Sequence, residues 1–309
     1  MSFDFAAVRA PFRMQPGLRR LAAGSAPLTP NLPGAPALVE KTIVLRDRAG
    51  EALVTAPGFD AGPALQTLMQ QAVLDQPHCF DWDGAHGFEA RLLGWSVRGA
   101  EVAGDGPREL GELLRALPAA WRLPGLLSLA LAEDFAVIDG ASARIPWLAV
   151  CLPSRWAPAD KVGRHFVEVH APVADNALLL GAADHLAQLV TGTERWERFV
   201  WSISSDARLA QHPKHGAPPG WPAALDAEAL AGAAHFRSEH QTFIPIASVR
   251  QAVFTILVES RPLTEVIDSP ERARQLRDAL ASMSDAVLAY RGLVDARERL
   301  LAWLAARSA

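Results

Sequence analysis

Stretches with strand character follow one another through the second half of this chain, and helical stretches gather at its two ends. No other feature constrains the fold as much, because strands that neighbour in sequence favour an antiparallel sheet with helices packed around it. Residues 135–139 and 145–152 read as two strands about a turn containing Gly140 and Ser142. Residues 164–170, 198–204, 236–246 and 252–260 add further strands, and 88–97 adds one in the first half. Residues 41–46 fit either a strand or the start of a helix.

Helical spacing appears at 63–73, with Leu65, Leu68, Met69 and Ala72 on one face. It recurs at 107–117 through Leu110, Leu113, Leu114 and Leu117, in a buried helix at 126–132, and at 177–190. Near the C-terminus Ser269 can cap a helix whose first residue is Pro270. Leu276, Leu280, Met283, Val287 and Leu288 continue that helix, and 296–306 extends it or forms a second. The expectation is one α+β domain over 1–309, with an N-terminal arm (1–40) and C-terminal helices (269–309). The 211–230 loop holds four prolines, and the strands on either side of it should pair in one sheet.

The net charge of −4 offers no basic footprint for nucleic acid. No apolar run approaches the roughly 18 residues of a membrane span; the longest, 126–131, meets Glu133 and Asp134 directly afterwards. Cys79 and Cys151 sit far apart, outside any CxxC pair, so both read as reduced, buried thiols of a cytoplasmic protein. The chain carries no GxGxxG after a strand, no phosphate-binding GxxxxGK[ST], no HExxH and no GxSxG. Nucleotide enzymes, zinc proteases and serine hydrolases of those types are therefore excluded. An enzyme whose cofactor occupies an apolar pocket is not.

Two groups of polar residues deserve weighing. Among nine histidines, His212 and His215 lie in the proline-rich loop and read as solvated. His165 and His170, five apart on an expected strand, should face opposite ways, so that only one can meet a pocket. Arg237, Glu239 and Gln241 alternate along a strand and project to one side, either as a solvent face or as a polar cluster around a ligand.

Four blocks of this sequence, in this order, resemble one family. They are LLSLALAEDFAVID (126–139), CLPSRWAPADKVGRHFVEVHAPV (151–173), FRSEHQTFIPI with AVFTILVESRPL (236–263), and AYRGL (289–293). The second is similar to a PSxW…KxG…IHxPV pattern and the third to RxERQT…P…FTI. PFRMQPGL (11–18) is a weaker match. The family is the haem-dependent oxidative N-demethylase alpha-subunit-like family.

The resemblance implies a PAS-like antiparallel sheet wrapped by helices, haem b as cofactor, and monooxygenase chemistry that removes a methyl group from a small secondary amine. Electrons would come from separate flavin and iron–sulfur reductase subunits. Carried onto this chain, it makes His170 the axial iron ligand. It places Lys161, Trp201 and Arg237 at the cofactor and Glu239, Arg237 and Gln241 at the catalytic pocket. Two residues depart from the pattern: His240 stands where the family has Arg, and Val200 where it has Asn before Trp201. His240, adjacent to Glu239 on a strand, should point away from that residue's face. The alternative to an enzyme is a haem-binding sensor or a non-catalytic PAS-like subunit.

Overall fold

The computed structural model describes residues 3–308; Met1, Ser2 and Ala309, the outermost residues of the expected domain, lie outside them. The chain opens with an arm that carries β1 (Arg19–Arg20) and leads into α1 (Pro36–Ala52), β2 (Leu53–Thr55) and α2 (Gly62–Asp75). Residues 41–46 are thus helical, and the arm ends at 35. Next come β3 (Phe80–Trp82), β4 (Gly87–Ala90), β5 (Trp95–Arg98) and β6 (Glu101–Gly104), which form a small sheet in sequence order. The single strand expected over 88–97 is therefore two. Gly94 separates them at φ +66°, where a Cβ would sit 2.8 Å from the Gly106 backbone, so the left-handed turn suits glycine on both counts.

Helices α3 (Arg108–Ala116) and α4 (Ala119–Ala130) lead to β7 (Asp134–Asp139) and β8 (Arg144–Ala149). Then follow α5 (Phe166–His170), α6 (Ala177–Gly181), α7 (Ala183–Val190), β9 (Trp196–Ser204), α8 (Ala227–Ala233), β10 (His235–Ile246) and β11 (Gln251–Pro262). The chain ends with α9 (Leu263–Val266), α10 (Pro270–Ala281), α11 (Asp285–Arg291) and α12 (Arg297–Arg307). The main sheet has seven strands in the order β1-β9-β10-β11-β7-β8-β2, and every pair in it is antiparallel. The strands flanking the 211–230 loop pair as expected, Phe236 with Ile203 and Gln241 with Arg198.

The strand expected over 164–170 is a helix instead. Seven residues fit periods of 2 and 3.6 almost equally, and the N-terminal cap decides. His165 Nδ1 accepts from Val167 N, while Glu168 accepts from His165 N at 2.8 Å, a reciprocal capping box. The helical spacing that runs from Leu276 to Leu288 is divided by Ser284. Its hydroxyl accepts from Val287 N and starts α11 afresh.

Two large apolar clusters flank the main sheet. One joins α1, α2, α3 and α4 to Phe135, Val137, Trp147 and Val253; the other packs α8, α10, α11 and α12 onto Trp201, Ile203 and Phe236. Cys151 is buried, as expected, but Cys79 is only half-buried. Inside the first cluster lies an ion pair. Lys41 and Asp134 are 0% and 1% exposed and 3.1 Å apart. The ammonium also donates to the carbonyls of Leu131 and Glu133, and Asp134 accepts from Leu152 N at 2.6 Å. The pair ties α1, the end of α4 and the strand after it into one unit; Asp134 Oδ2 is hydrogen-bonded, while its Oδ1 is met by the Lys41 charge without a hydrogen bond.

Glu133, next to this pair, is also buried. Burial pushes its carboxyl up to about 7, against the opposing hydrogen bonds from Thr29 and the Lys41 charge. Between its ordinary value near 4.5 and 7, the unfolded chain releases this proton and the folded chain keeps it. Stability from this group is therefore full below about pH 4.5 and lost as pH rises to 7, a change of at most roughly 3 kcal/mol. Urea unfolding of Glu133→Gln at pH 5 and pH 7.5 should show a smaller fall in stability with pH than the parent. Equal pH dependence in the two would refute the assignment.

Candidate functional site

Strand register sorts the side chains of β9 and β10 onto two faces. Arg237, Glu239 and Gln241 pair with Ser202, Val200 and Arg198, so these six share one face. Trp201, Phe199 and Glu197 share the other with Ser238, His240 and Thr242.

The first face is not a solvent face. Arg237 is 3% exposed and Gln241 is buried. The Glu239 carboxylate accepts from the Ser154 hydroxyl through Oε1 and from Gln241 Nε2 at 2.6 Å through Oε2. Arg237 Nε donates to the same Ser154 hydroxyl at 2.9 Å. Its remaining donors reach the carbonyls of Arg208 (3.0 Å), Leu209 (2.8 Å) and Leu152 (3.4 Å). The guanidinium is therefore spent on the chain itself. It locks the 151–155 segment and the 206–212 loop against β10.

Arg198 is the residue that sequence reasoning passed over. It lies within β9 beside Gln241, and its Nε is buried without a hydrogen-bond partner. Burial lowers its pKa while the Glu239 charge opposes the shift. An arginine among the aromatic and apolar residues of this strand was the available signal, but only the pairing with Gln241 gives it meaning. A buried N–H left without an acceptor is costly unless another group meets it.

His170 ends α5. Its Nδ1 lies 2.9 Å from the Phe166 carbonyl, and its ring stacks on the Phe166 ring at 4.0 Å between centroids. A carbonyl can only accept, so Nδ1 carries the proton and Nε2 presents a lone pair. Burial pulls the imidazole down to about 4, and the charges of Arg198 and Lys161 push the same way. At neutral pH the ring is thus uncharged, with one nitrogen free to bind a metal. Its partner His165 is taken up by the cap of α5. Lys161, with its pKa lowered chiefly by burial, donates to the Val169 carbonyl at 2.7 Å.

Arg155 and Trp156, which follow Ser154 directly, line a cavity of about 410 Å³ together with Lys161, Arg164, Val169 and Tyr290. That volume lies in the range of small-molecule sites. The cavity lining carries Arg155, Lys161 and Arg164 beside Asp160 and Glu168; the neutral His170 imidazole follows its Val169 in sequence, and the half-buried Glu239 carboxylate, with both oxygens held, is tied to it through Ser154.

Trp201 and His240 are not brought to this cluster. Trp201 faces the C-terminal helices, edge-on to Phe12 at 5.6 Å and stacked over Phe236 at 5.9 Å. His240 stacks on Phe199 at 4.4 Å, and its Nε2 sits 2.7 Å from Glu197, which also pairs with Arg19. The sidedness expected of His240 holds. Arg291, from the 289–293 block, lies under Trp201 and donates to its carbonyl, and burial lowers its pKa to about 10.

Lysine cannot reproduce the forked pattern of Arg237. Arg237→Lys should therefore cost roughly 3 kcal/mol in urea unfolding and expose the 206–212 loop to limited proteolysis. Unchanged stability would show that the carbonyl contacts contribute little.

No curated protein matches the chain. A family model described as haem-dependent oxidative N-demethylase, alpha subunit-like, matches residues 45–301, a span that takes in α5, the polar face of β10 and the cavity wall through Tyr290. The chain belongs to the haem-dependent oxidative N-demethylase alpha-subunit-like family.

Proposed function

We propose that this chain is the haem-bearing catalytic subunit of a monooxygenase that removes a methyl group from a small secondary amine, with electrons delivered by separate flavin and iron–sulfur subunits. The observation that carries the reading is His170: a neutral imidazole whose Nδ1 proton is held by a backbone carbonyl, so that Nε2 would be the atom to hold the haem iron. A neutral imidazole and nearby cations are the donors that a haem with its propionates would need: half-buried Arg198, whose Nε has no partner, and Lys161 and Arg155 at the cavity would meet the propionates. When bound, the haem supplies oxygen activation for the oxidative loss of a methyl group as formaldehyde.

The protein's own part lies on the sheet face. Ser154 and Gln241 aim the Glu239 carboxylate, which holds a cationic amine or passes a proton near the reacting atoms. Val200, directly across the strand pair from Glu239, sets an apolar surface beside the charge. A methylated ammonium asks for that combination. Arg237 serves as a positioning residue, fixing Ser154 and thereby Glu239, and Trp201 supports the strand from behind. In this reading the seven-stranded antiparallel sheet is a PAS-like core, and the exposed cavity mouth is where amine and oxygen enter.

Two measurements test this. The purified protein should develop a strong Soret band with haemin, and His170→Ala should weaken or shift it; a colourless protein in both forms would point to a non-catalytic subunit. Glu239→Ala should keep the Soret band yet release no formaldehyde from dimethylamine in the presence of a reductase. Loss of haem from that variant would place Glu239 in cofactor binding instead. A gas-dependent spectral shift without product in the parent would favour a sensor.

A further inference from the structure

The two loop histidines are not solvated as their sequence context suggested. His212 is 8% exposed, and both rings converge on Glu51 near the end of α1. His215 Nε2 lies 2.5 Å from Glu51 Oε2, and His212 Nε2 lies 4.0 Å from the same oxygen. One ligand atom from each of the three residues falls within 4.8 Å of the others. Ligands bound tetrahedrally to zinc at about 2.0–2.1 Å stand roughly 3.3 Å apart. To share an ion the closer contact opens and the longer one closes, and His212 gives up the 3.3 Å bond its Nδ1 accepts from Lys214 N so that the ring proton moves to Nδ1 and Nε2 is free to ligate.

The chemistry of the set is specific. Two imidazoles and one carboxylate, with a fourth position open to water, form the donor group of many zinc and first-row transition-metal sites. The backbone already brings the ligands together. Glu40, on the same helix as Glu51, accepts from Leu209 N at 2.9 Å and Ala210 N at 2.7 Å. Gln211 N donates to the Pro153 carbonyl, and Arg155 N to the Gln211 carbonyl. Pro213 then turns the chain through a short 3-10 turn, bringing His212 and His215 to one side. Helix α1 leaves its regular path at Arg48, three residues before Glu51. Arg48 and Lys214 add positive charge nearby, which lowers the affinity for a dication without touching the ligand atoms.

We propose that Glu51, His212 and His215 bind a divalent transition-metal ion, Zn²⁺ foremost, which clamps the 206–216 loop to α1. This site shares no residue with the His170 cluster and does not depend on the function proposed for it. The two are linked mechanically, because the same loop supplies the Arg208 and Leu209 carbonyls that hold Arg237. A metal here stiffens the support of the polar face rather than taking part in chemistry.

The test uses untagged, chelator-treated full-length protein. Titration with ZnCl₂ should show one saturable equivalent and a raised thermal unfolding midpoint. CoCl₂ should develop the visible d–d bands of a bound tetrahedral ion. Glu51→Gln and His215→Gln, both at partly exposed positions, should lose the binding and the thermal shift while unfolding at the parent's metal-free midpoint. His86→Ala, at an exposed histidine elsewhere, should keep both. Absence of saturable zinc binding in the parent, or equal binding in the Glu51 and His215 variants, would overturn the proposal.

Discussion

The buried guanidinium of Arg237 is the contact on which the functional face depends. It joins three pieces of chain that no regular hydrogen-bond ladder connects: β10, the 151–155 segment through the Ser154 hydroxyl and Leu152 carbonyl, and the loop through the carbonyls of Arg208 and Leu209. A charge taken out of water is tolerated only when its donors are filled. Carbonyl oxygens do most of that filling here, while Glu239, Glu40 and Asp206 oppose the fall that burial imposes on its pKa. Because Ser154 is shared between Arg237 and Glu239, placement of the carboxylate follows from placement of the arginine.

The sheet sets everything else by its two-fold alternation. One face of β9 and β10 carries Arg198, Val200, Arg237, Glu239 and Gln241 toward the 151–173 segment. The opposite face carries Trp201, Ile203 and Phe236 into the C-terminal helices. A register slip of one residue would exchange the two sets and bury apolar rings where the carboxylate now stands. The C-terminal helices thus fix the site from behind: their apolar contacts with Trp201 and Phe236 leave only one register that buries both faces well. The Lys41–Asp134 pair plays a similar part at the far side, holding Leu152, and so the start of the 151–173 segment, against α1.

Much of this was legible in particular residues. The alternation of Arg237, Glu239 and Gln241 announced a shared face, and the adjacent His240 was rightly set apart from it. Ser269 and Pro270 marked the start of α10 because a capping hydroxyl and a proline at the first position act locally. The 164–170 segment misled because its valines alternate as a strand would, while the capping box of His165 and Glu168 becomes visible only as geometry. His212 and His215 misled because a proline-rich loop usually lies in water; Glu51, more than 160 positions away at His215, cannot be paired with them by local reasoning. The role of Arg198 stayed hidden for the same reason, since it emerges only across a strand pair.

The sequence by itself determined the α+β class, most of the succession of antiparallel strands, the Ser269 cap and the family, because periodicity, capping and motif order are properties of neighbouring residues. Only the tertiary structure decided which side of the sheet is polar and enclosed, and which nitrogen of His170 is free. Only there did Arg237 prove spent on carbonyls while Arg198 keeps an unpartnered Nε, and only there did a loop pair its histidines with a distant glutamate. Each of those outcomes rests on groups brought within about 3 Å by folding from far along the chain. Local pattern cannot encode such contacts, because the burial and partner that give each group its charge state exist only once the sheet has closed over them.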